Sequence, residues 1–349
     1  MNRKIRALIV DDTAFMRKAL AGILETDPMI EVVGRAANGL EALGMIEELE
    51  PDVITLDIDM PVMDGLAAIR HIMIEIPVPI VVLSSLFMDG AVTFEALRLG
   101  VADFVPKPSG AVSVDIEKAR QKIVDRVKIA STMNMDNVRR VKLSDQWGVE
   151  NRLKQLYKYY PLEYIIALGT TLSGPNTIIR LLSSLSPTIP ASMVVIQEIS
   201  PKILSAFVKQ FDEHVPWRIR MPEDESVMEQ GVCYICSNEQ SLTVGINQKG
   251  EVVLRKGPKI PEPLNVMFSS AADVFHQHTI GILLSGMGDD GAEGFARIKQ
   301  AFGMTMVKDS KCCVFPNLTD NAIEKDVVDL VLDDRRLVDA ISAVMAQGI

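Results

Sequence analysis

Short apolar runs alternate with segments of helical spacing along the first 130 residues. Ile5–Val10 is a continuous apolar run and predicts a buried strand. Ala14–Leu24 sets Phe15, Leu20 and Leu24 on related faces, the spacing of an amphipathic helix. The alternation continues through strand-like Glu31–Ala36, Val53–Leu56, Ile80–Leu83 and Ala102–Val105. Between these runs lie helix-like Leu40–Leu49, Ala67–Ile74, Val92–Leu99 and Asp115–Ile129, the second helix closed by Pro51 and the fourth stopped by Gly100. Five strands alternating with five helices predict a parallel sheet with right-handed crossovers.

From about Ser131 to Asn151 the pattern weakens into polar residues, which read as a linker. A second α/β alternation follows. Its predicted strands are Tyr164–Leu168, Met193–Ile196, Ile280–Leu284 and Met304–Val307, and its predicted helices Pro175–Ser183, Ile203–Phe211, Leu264–Phe275, Ala292–Ala301 and Arg335–Met345. Three short strand-like pieces, Cys233–Ile235, Leu242–Ile246 and Glu251–Leu254, suggest a β-rich insertion near residues 231–256. The chain is therefore expected to hold a first domain over 1–130, a linker over 131–160 and a second domain over 161–349. The length agrees, because a single core rarely grows past about 250–300 residues.

Charge and composition narrow the function classes. Apolar residues make up 48% and charged residues 23%, a globular balance, and the formal charge of −10 repels nucleic acid over most of the surface. No helix-turn-helix with a basic recognition helix is evident, so a transcription factor is not expected. The longest apolar runs fall far short of the roughly 18–20 residues that span a bilayer. Basic Met1–Lys4 and apolar Ile5–Val10 are interrupted by Asp11-Asp12 with no small-residue cleavage pattern. A cytoplasmic protein without membrane insertion is expected. Cys233 and Cys236 have the spacing of a zinc or redox pair, but Cys312-Cys313 lacks it, and a closed zinc site needs four well-spaced ligands. Reduced cysteines in or beside strands are the expectation.

In an open parallel sheet, functional groups gather at the carboxyl ends of strands. Asp11-Asp12 follow the first predicted strand, Asp57 ends the third, Ser84 ends the fourth and Lys107 follows the fifth. Carboxylates converging there repel one another. A hard cation, normally Mg²⁺, relieves that repulsion through oxygen ligands, here Asp11, Asp12 and Asp57. Asp57 is then the nucleophile for a phosphoryl group, with Lys107 offsetting charge and the Ser84 hydroxyl donating to a phosphoryl oxygen. The other reading of the same residues is an acidic rim on a flavodoxin-like sheet without phosphorylation. The acid pair at residue 11, LDIDMPVMDG at 56–65, LSS at 83–85 and VPKP at 105–108 resemble the response-regulator receiver family over about residues 5–129. That resemblance implies a sensor histidine kinase as partner, and a switch in which Ser84 and Phe104 move when phosphate arrives. Ordinary core packing is the other reading of Phe104.

The order receiver, linker, α/β domain resembles the CheB-type chemotaxis methylesterases over nearly the whole chain. The motifs are LLSGMGDDGAEG at 283–294, Ala167–Pro175 against the family's AIGASTGGP, Val194–Ile196 followed by Gln197, and a GxxYI element at Gly231–Ile235. The implied fold is a flavodoxin-like receiver followed by a second, Rossmann-like α/β domain. The family hydrolyses glutamyl methyl esters on the cytoplasmic domain of chemoreceptors with Ser, His and Asp. Carried over by motif, these positions fall on Thr171, Glu198 and Asp290. Two of the three differ. Thr keeps a hydroxyl but stiffens χ1, and a free Glu has a pKa about two units below that of His, a poor match for shuttling protons near neutral pH. Glu198 facing Asp290 would also set two carboxylates against each other. Ser173 is the nearest alternative hydroxyl, while His71, His214, His276 and His278 are expected at the surface or capping helices. Cys236–Glu239 and Pro261–Asn265 depart from the family as well, and Glu262 stands where basic residues would attract an acidic receptor segment. The expectation is a phosphorylation-controlled response regulator of chemotaxis-type signalling, accepting phosphate on Asp57, whose second domain is inactive or weak in hydrolysis and acts by binding. The alternative is an active glutamate methylesterase or deamidase working through Thr171 or Ser173.

Overall fold

The computed structural model describes residues 3–84, 90–107, 114–138, 161–171 and 174–347. The chain divides into two compact units, Met1–Arg140 and Val141–Ile349. Ser173 and residues 139–160 of the expected linker lie outside the described residues.

The first unit runs β1 (Ile5–Val10), α1 (Ala14–Leu24), β2 (Ile30–Ala36), α2 (Gly39–Leu49), β3 (Val53–Asp57), α3 (Gly65–Glu75), β4 (Ile80–Ser84), α4 (Gly90–Leu99), β5 (Asp103–Pro106) and α5 (Val114–Ala130). Its five strands are parallel in the order β2-β1-β3-β4-β5, the flavodoxin-like arrangement expected. Every residue of β3 and β4 is buried, because helices cover both faces of the sheet. One face packs Leu8, Val10, Ile54, Leu56 and Val82 against Ile46 of α2 and Ile69 and Ile72 of α3. Short polar side chains begin the helices: Thr13, Asn38 and Asp64 accept the N–H groups of Met16, Glu41 and Ala67. Met133 is buried, and Met135 and Val138 pack onto this core, so the start of the polar stretch continues the unit. Phe15 departs from its predicted face. It is 81% exposed, while Leu20 and Leu24 carry the buried stripe.

The second unit runs β6 (Tyr164–Thr170), α6 (Gly174–Ser184), β7 (Ala191–Gln197), α7 (Pro201–His214), β8 (Arg218–Arg220), β9 (Ser226–Val227), β10 (Val232–Ser237), β11 (Ser241–Ile246), β12 (Val252–Gly257), α8 (Pro263–Phe275), β13 (Thr279–Leu283), α9 (Ala292–Gln300), β14 (Met304–Lys308), α10 (Asn317–Glu324), β15 (Leu330–Leu332) and α11 (Asp334–Gln347). Seven parallel strands lie in the order β15-β14-β13-β6-β7-β10-β8. A separate antiparallel sheet joins β11, β12 and β9. The expected β-rich insertion is present as this sheet, with one correction of membership. Val232–Ser237 is a fully buried strand of the main sheet, and β9, β11 and β12 form the appended sheet against α8. Four elements escaped the sequence pattern. β8, β9 and β15 are too short to show a period, and α10 has a largely polar sequence.

Among the described residues, no helix is long and apolar enough to cross a membrane. The four cysteines are free thiols, two of them inside β10, in line with the expectation.

Candidate functional sites

At the carboxyl edge of the first sheet, Asp11, Asp12 and Asp57 bring carboxylate oxygens within 4.8 Å of one another. Asp11 and Asp57 are buried, and Asp12 is exposed. Lys107 Nζ lies 2.8 Å from Asp11 Oδ2 and 2.5 Å from Asp57 Oδ2. The other Asp57 oxygen accepts the Ile58 N–H at 2.8 Å. Ser84 is buried at the end of β4, and its carbonyl accepts the Lys107 N–H at 2.7 Å, which ties the lysine loop to the neighbouring strand. Phe104 is half-buried against the first core, one residue before the buried Val105.

The balance of charge in this pocket is informative. Burial pushes the Asp57 carboxyl above the usual carboxylate range, Lys107 only partly offsets that, and Asp11 adds to the rise. Burial also works against the Lys107 charge, but the two carboxylates outweigh it and hold the ammonium above its ordinary value. One ammonium is therefore too little positive charge for three carboxylates. The donors are all hard oxygens, so the residues fit a small divalent cation such as Mg²⁺.

Two positioning features were not anticipated. Thr13 donates both its N–H (2.9 Å) and its hydroxyl (2.8 Å) to Asp11 Oδ1, and Arg17 Nη1 donates to the Asp11 carbonyl at 2.6 Å. These contacts leave the other Asp11 oxygen to Lys107. Gly65 is required by close approach. A Cβ there would lie 2.3 Å from the Asp57 carbonyl oxygen. The Asp-x-Thr spacing is a readable turn signal, whereas the Gly65 contact has no local signature.

In the second unit, β6 sits between β13 and β7, and the chain leaves β6 toward one side and returns on the other. Such a reversal opens a crevice at the carboxyl edge. Thr171 and Glu198 each stand one residue beyond the register pair Thr170 and Gln197. The Thr171 hydroxyl accepts the Met287 N–H at 2.7 Å and lies 3.4 Å from the Met287 carbonyl. Gly286 makes that approach feasible, because a Cβ there would lie 2.4 Å from Thr171 Oγ1. Asp290 accepts the N–H groups of Leu264 and Asn265 at 2.8 and 2.9 Å. Burial pushes its carboxyl above the usual range, those amides pull it back, and Glu262 is the carboxylate that raises it further. The hydrogen bonds of Asp290 thus run to the first turn of α8, with Glu262 the neighbouring carboxylate. Among the described residues, Asp11, Asp12 and Asp57 form the one acidic group suited to a metal.

The histidines lie where the pattern placed them. His276 and His278 precede β13 at the amino edge, with His278 packed on Tyr164 at 4.7 Å between ring centroids. His214 closes α7 against the Gln210 carbonyl, and His71 pairs with Glu75.

Comparison with known proteins agrees with this architecture. Residues 7–115 match the family described as Response regulator receiver domain, and residues 166–341 the one described as CheB methylesterase. A protein-glutamate methylesterase/protein-glutamine glutaminase of Pyrococcus horikoshii is 33% identical over 339 residues, covering 95% of this chain and 91% of its own. Its namesake from Caldanaerobacter subterraneus is 35% identical, covering 95% and 94%. The response regulator domain of Thermotoga maritima CheB, a solved structure, is 42% identical with a TM-score of 0.35, covering 38% of this chain and 99% of its own. With nearly the full length of both chains aligned, this chain belongs to the CheB family, a response-regulator receiver domain joined to a CheB methylesterase domain.

Proposed function

We propose that this chain is a cytoplasmic, phosphorylation-controlled response regulator of chemotaxis-type signalling, with its receiver over 1–130, a linker over 131–160 and its output domain over 161–349. A sensor histidine kinase supplies the phosphoryl group to Asp57. The observation that carries the reading is the three-carboxylate cluster whose two buried members, Asp11 and Asp57, share one lysine. Asp11, Asp12 and Asp57 would hold Mg²⁺, which supplies charge neutralisation when bound. An Asp57 carboxylate oxygen attacks the phosphorus as the bond from phosphorus to the kinase histidine nitrogen breaks and the imidazole leaves, while Lys107 stays beside the transferred group and the Ser84 hydroxyl donates to it. Ser84 and Phe104 then relay the change along β4 and β5.

For the output, the relatives' printed names support hydrolysis of glutamyl methyl ester or glutamine side chains of a protein, and the resemblance drawn from the sequence motifs points to the chemoreceptor cytoplasmic domain as that protein. The comparisons back this reading better than a domain that only binds. Hydrolysis here would use Thr171 Oγ on the carbonyl carbon, its proton passing by way of the Glu198 carboxylate to the departing methanol or ammonia, and water then releasing the acyl group from Thr171, with Asp290 fixing the loop. A specific observation favours the second reading, a binding domain weak in hydrolysis. The Thr171 hydroxyl is engaged by Met287, both Asp290 oxygens are engaged by α8, and position 198 carries no imidazole. Methanol release from methylated receptors, with and without a small phosphodonor, separates the two. Release that Thr171→Ala abolishes supports hydrolysis. Phosphorylation-dependent receptor binding without release supports the binding domain, and neither response sinks both.

A further inference from the structure

The starts of α8 and α9 lack caps of their own. Glu262 before α8 and Gly291 before α9 make no side-chain capping hydrogen bond. The first-turn amides left over at such ends need partners. Each helix receives its cap from the other. Asp290, just before α9, accepts the Leu264 and Asn265 amides of α8. Asn265, on α8, accepts the Gly291 and Gly294 amides at the start of α9 with its Oδ1, both at 2.9 Å. Its Nδ2 donates to Glu262 Oε2 at 3.1 Å, so the amide group of Asn265 is satisfied at both ends. The residue is 9% exposed.

The surrounding glycines are shaped to this exchange. Gly291 has φ +107°, a region that disfavours side chains, and a Cβ on Gly294 would lie 3.1 Å from Asn265 Cα and 2.6 Å from Phe268 Cβ. The loop fixed by the exchange is the one that presents Met287 to Thr171. Asp290 spends each carboxylate oxygen on a main-chain amide, at the positive end of α8.

We propose that Asn265 is the positioning residue of this cleft. It and Asp290 form a reciprocal capping pair that sets the loop between β13 and α9, and with it the Met287–Thr171 contact. On this account Asp290 caps α8 whether or not the cleft hydrolyses its ligand.

Amide hydrogen exchange on the full chain tests this. Asn265→Ala is expected to speed exchange across Gly286–Gly294, Met287 included, by about tenfold or more, while the strand amides of β6 and β13 keep their protection. Asn265→Asp keeps an acceptor for both glycine amides but sets a carboxylate against Glu262 in place of the Nδ2 donor, and is expected to give protection between wild type and Asn265→Ala. Thr171→Val is expected to expose the Met287 amide alone, leaving Gly291 and Gly294 protected. Should Asn265→Ala not fold, Asn265→Ser keeps a shorter acceptor and is expected to give intermediate protection. Wild-type exchange across the loop in either truncation, or loosening spread evenly over the strands, overturns the proposal.

Discussion

Replacing Asp57 by Asn should stabilise the cation-free protein. The three carboxylates bring oxygens within 4.8 Å, so each ionised pair costs about 3.5 kcal/mol at an effective dielectric of about 20. Asp57 takes part in two such pairs. Its contact with Lys107 at 2.5 Å returns about 6.6 kcal/mol on the same scale. Attraction and repulsion therefore nearly cancel, and the desolvation of a buried carboxylate, several kcal/mol per ion before compensation, tips the balance against it. A net gain of about 1–3 kcal/mol follows for Asp57→Asn, because Asn keeps the shape and loses the charge. The pH dependence has a definite sign. The folded state raises the Asp57 pKa, so its contribution is favourable below the ordinary carboxylate value near 3.9 and is lost as pH rises through the folded value. The advantage of the variant should grow from acid toward neutral pH. Scanning calorimetry of the full chain in a chelator resolves this, the relevant transition being the one that magnesium raises in the wild type. A variant that is less stable than wild type by about 2 kcal/mol at neutral pH would refute the electrostatic reasoning.

Three further outcomes are expected. Gly286→Ala drives a Cβ to 2.9 Å from the Thr171 backbone nitrogen, and should cost about 1–3 kcal/mol in denaturant unfolding, with no loss if the loop moves freely. Asp329 accepts the Thr305 N–H at 2.9 Å and its hydroxyl at 2.8 Å; burial opposes its charge, but Lys299 and these donors hold its carboxyl below the usual range. Its stabilisation is present above the ordinary carboxylate value and lost as pH falls through the folded one, so Asp329→Ala should cost about 1–3 kcal/mol at neutral pH and progressively less in acid, read from urea midpoints. Burial pushes the Cys236 and Cys313 thiols up to about 11, so about one in a thousand is ionised at pH 8, and brief alkylation of native protein, read by peptide mass spectrometry, should label Cys312 well before either.

The receiver was legible because its chemistry sits in local motifs at strand ends. Asp11, Asp57, Ser84 and Lys107 each follow a short apolar run, and the parallel order alone brings them to one edge. Helix starts shifted by a residue or two where a cap lay inside a motif. Asp64, for example, begins α3 at Gly65, ahead of the periodic residues from Ala67. The second unit was legible in outline only. The run Cys233–Ile235 has the length of any short strand, and nothing local says that it joins β7 in the central sheet. The Asn265 exchange spans residues far apart in the chain, so no periodicity or spacing could disclose it. Thr171 and Asp290 were placed by motif, but their partners, Met287 and the first turn of α8, come from packing.

Phosphoryl labelling of the purified chain by a small phosphodonor is the most direct measurement of control by Asp57. Label that requires magnesium, is acid-stable and hydroxylamine-sensitive as an acyl phosphate, and disappears in Asp57→Ala is the predicted result. An unlabelled wild type in magnesium, or a label that survives in Asp57→Ala, contradicts it.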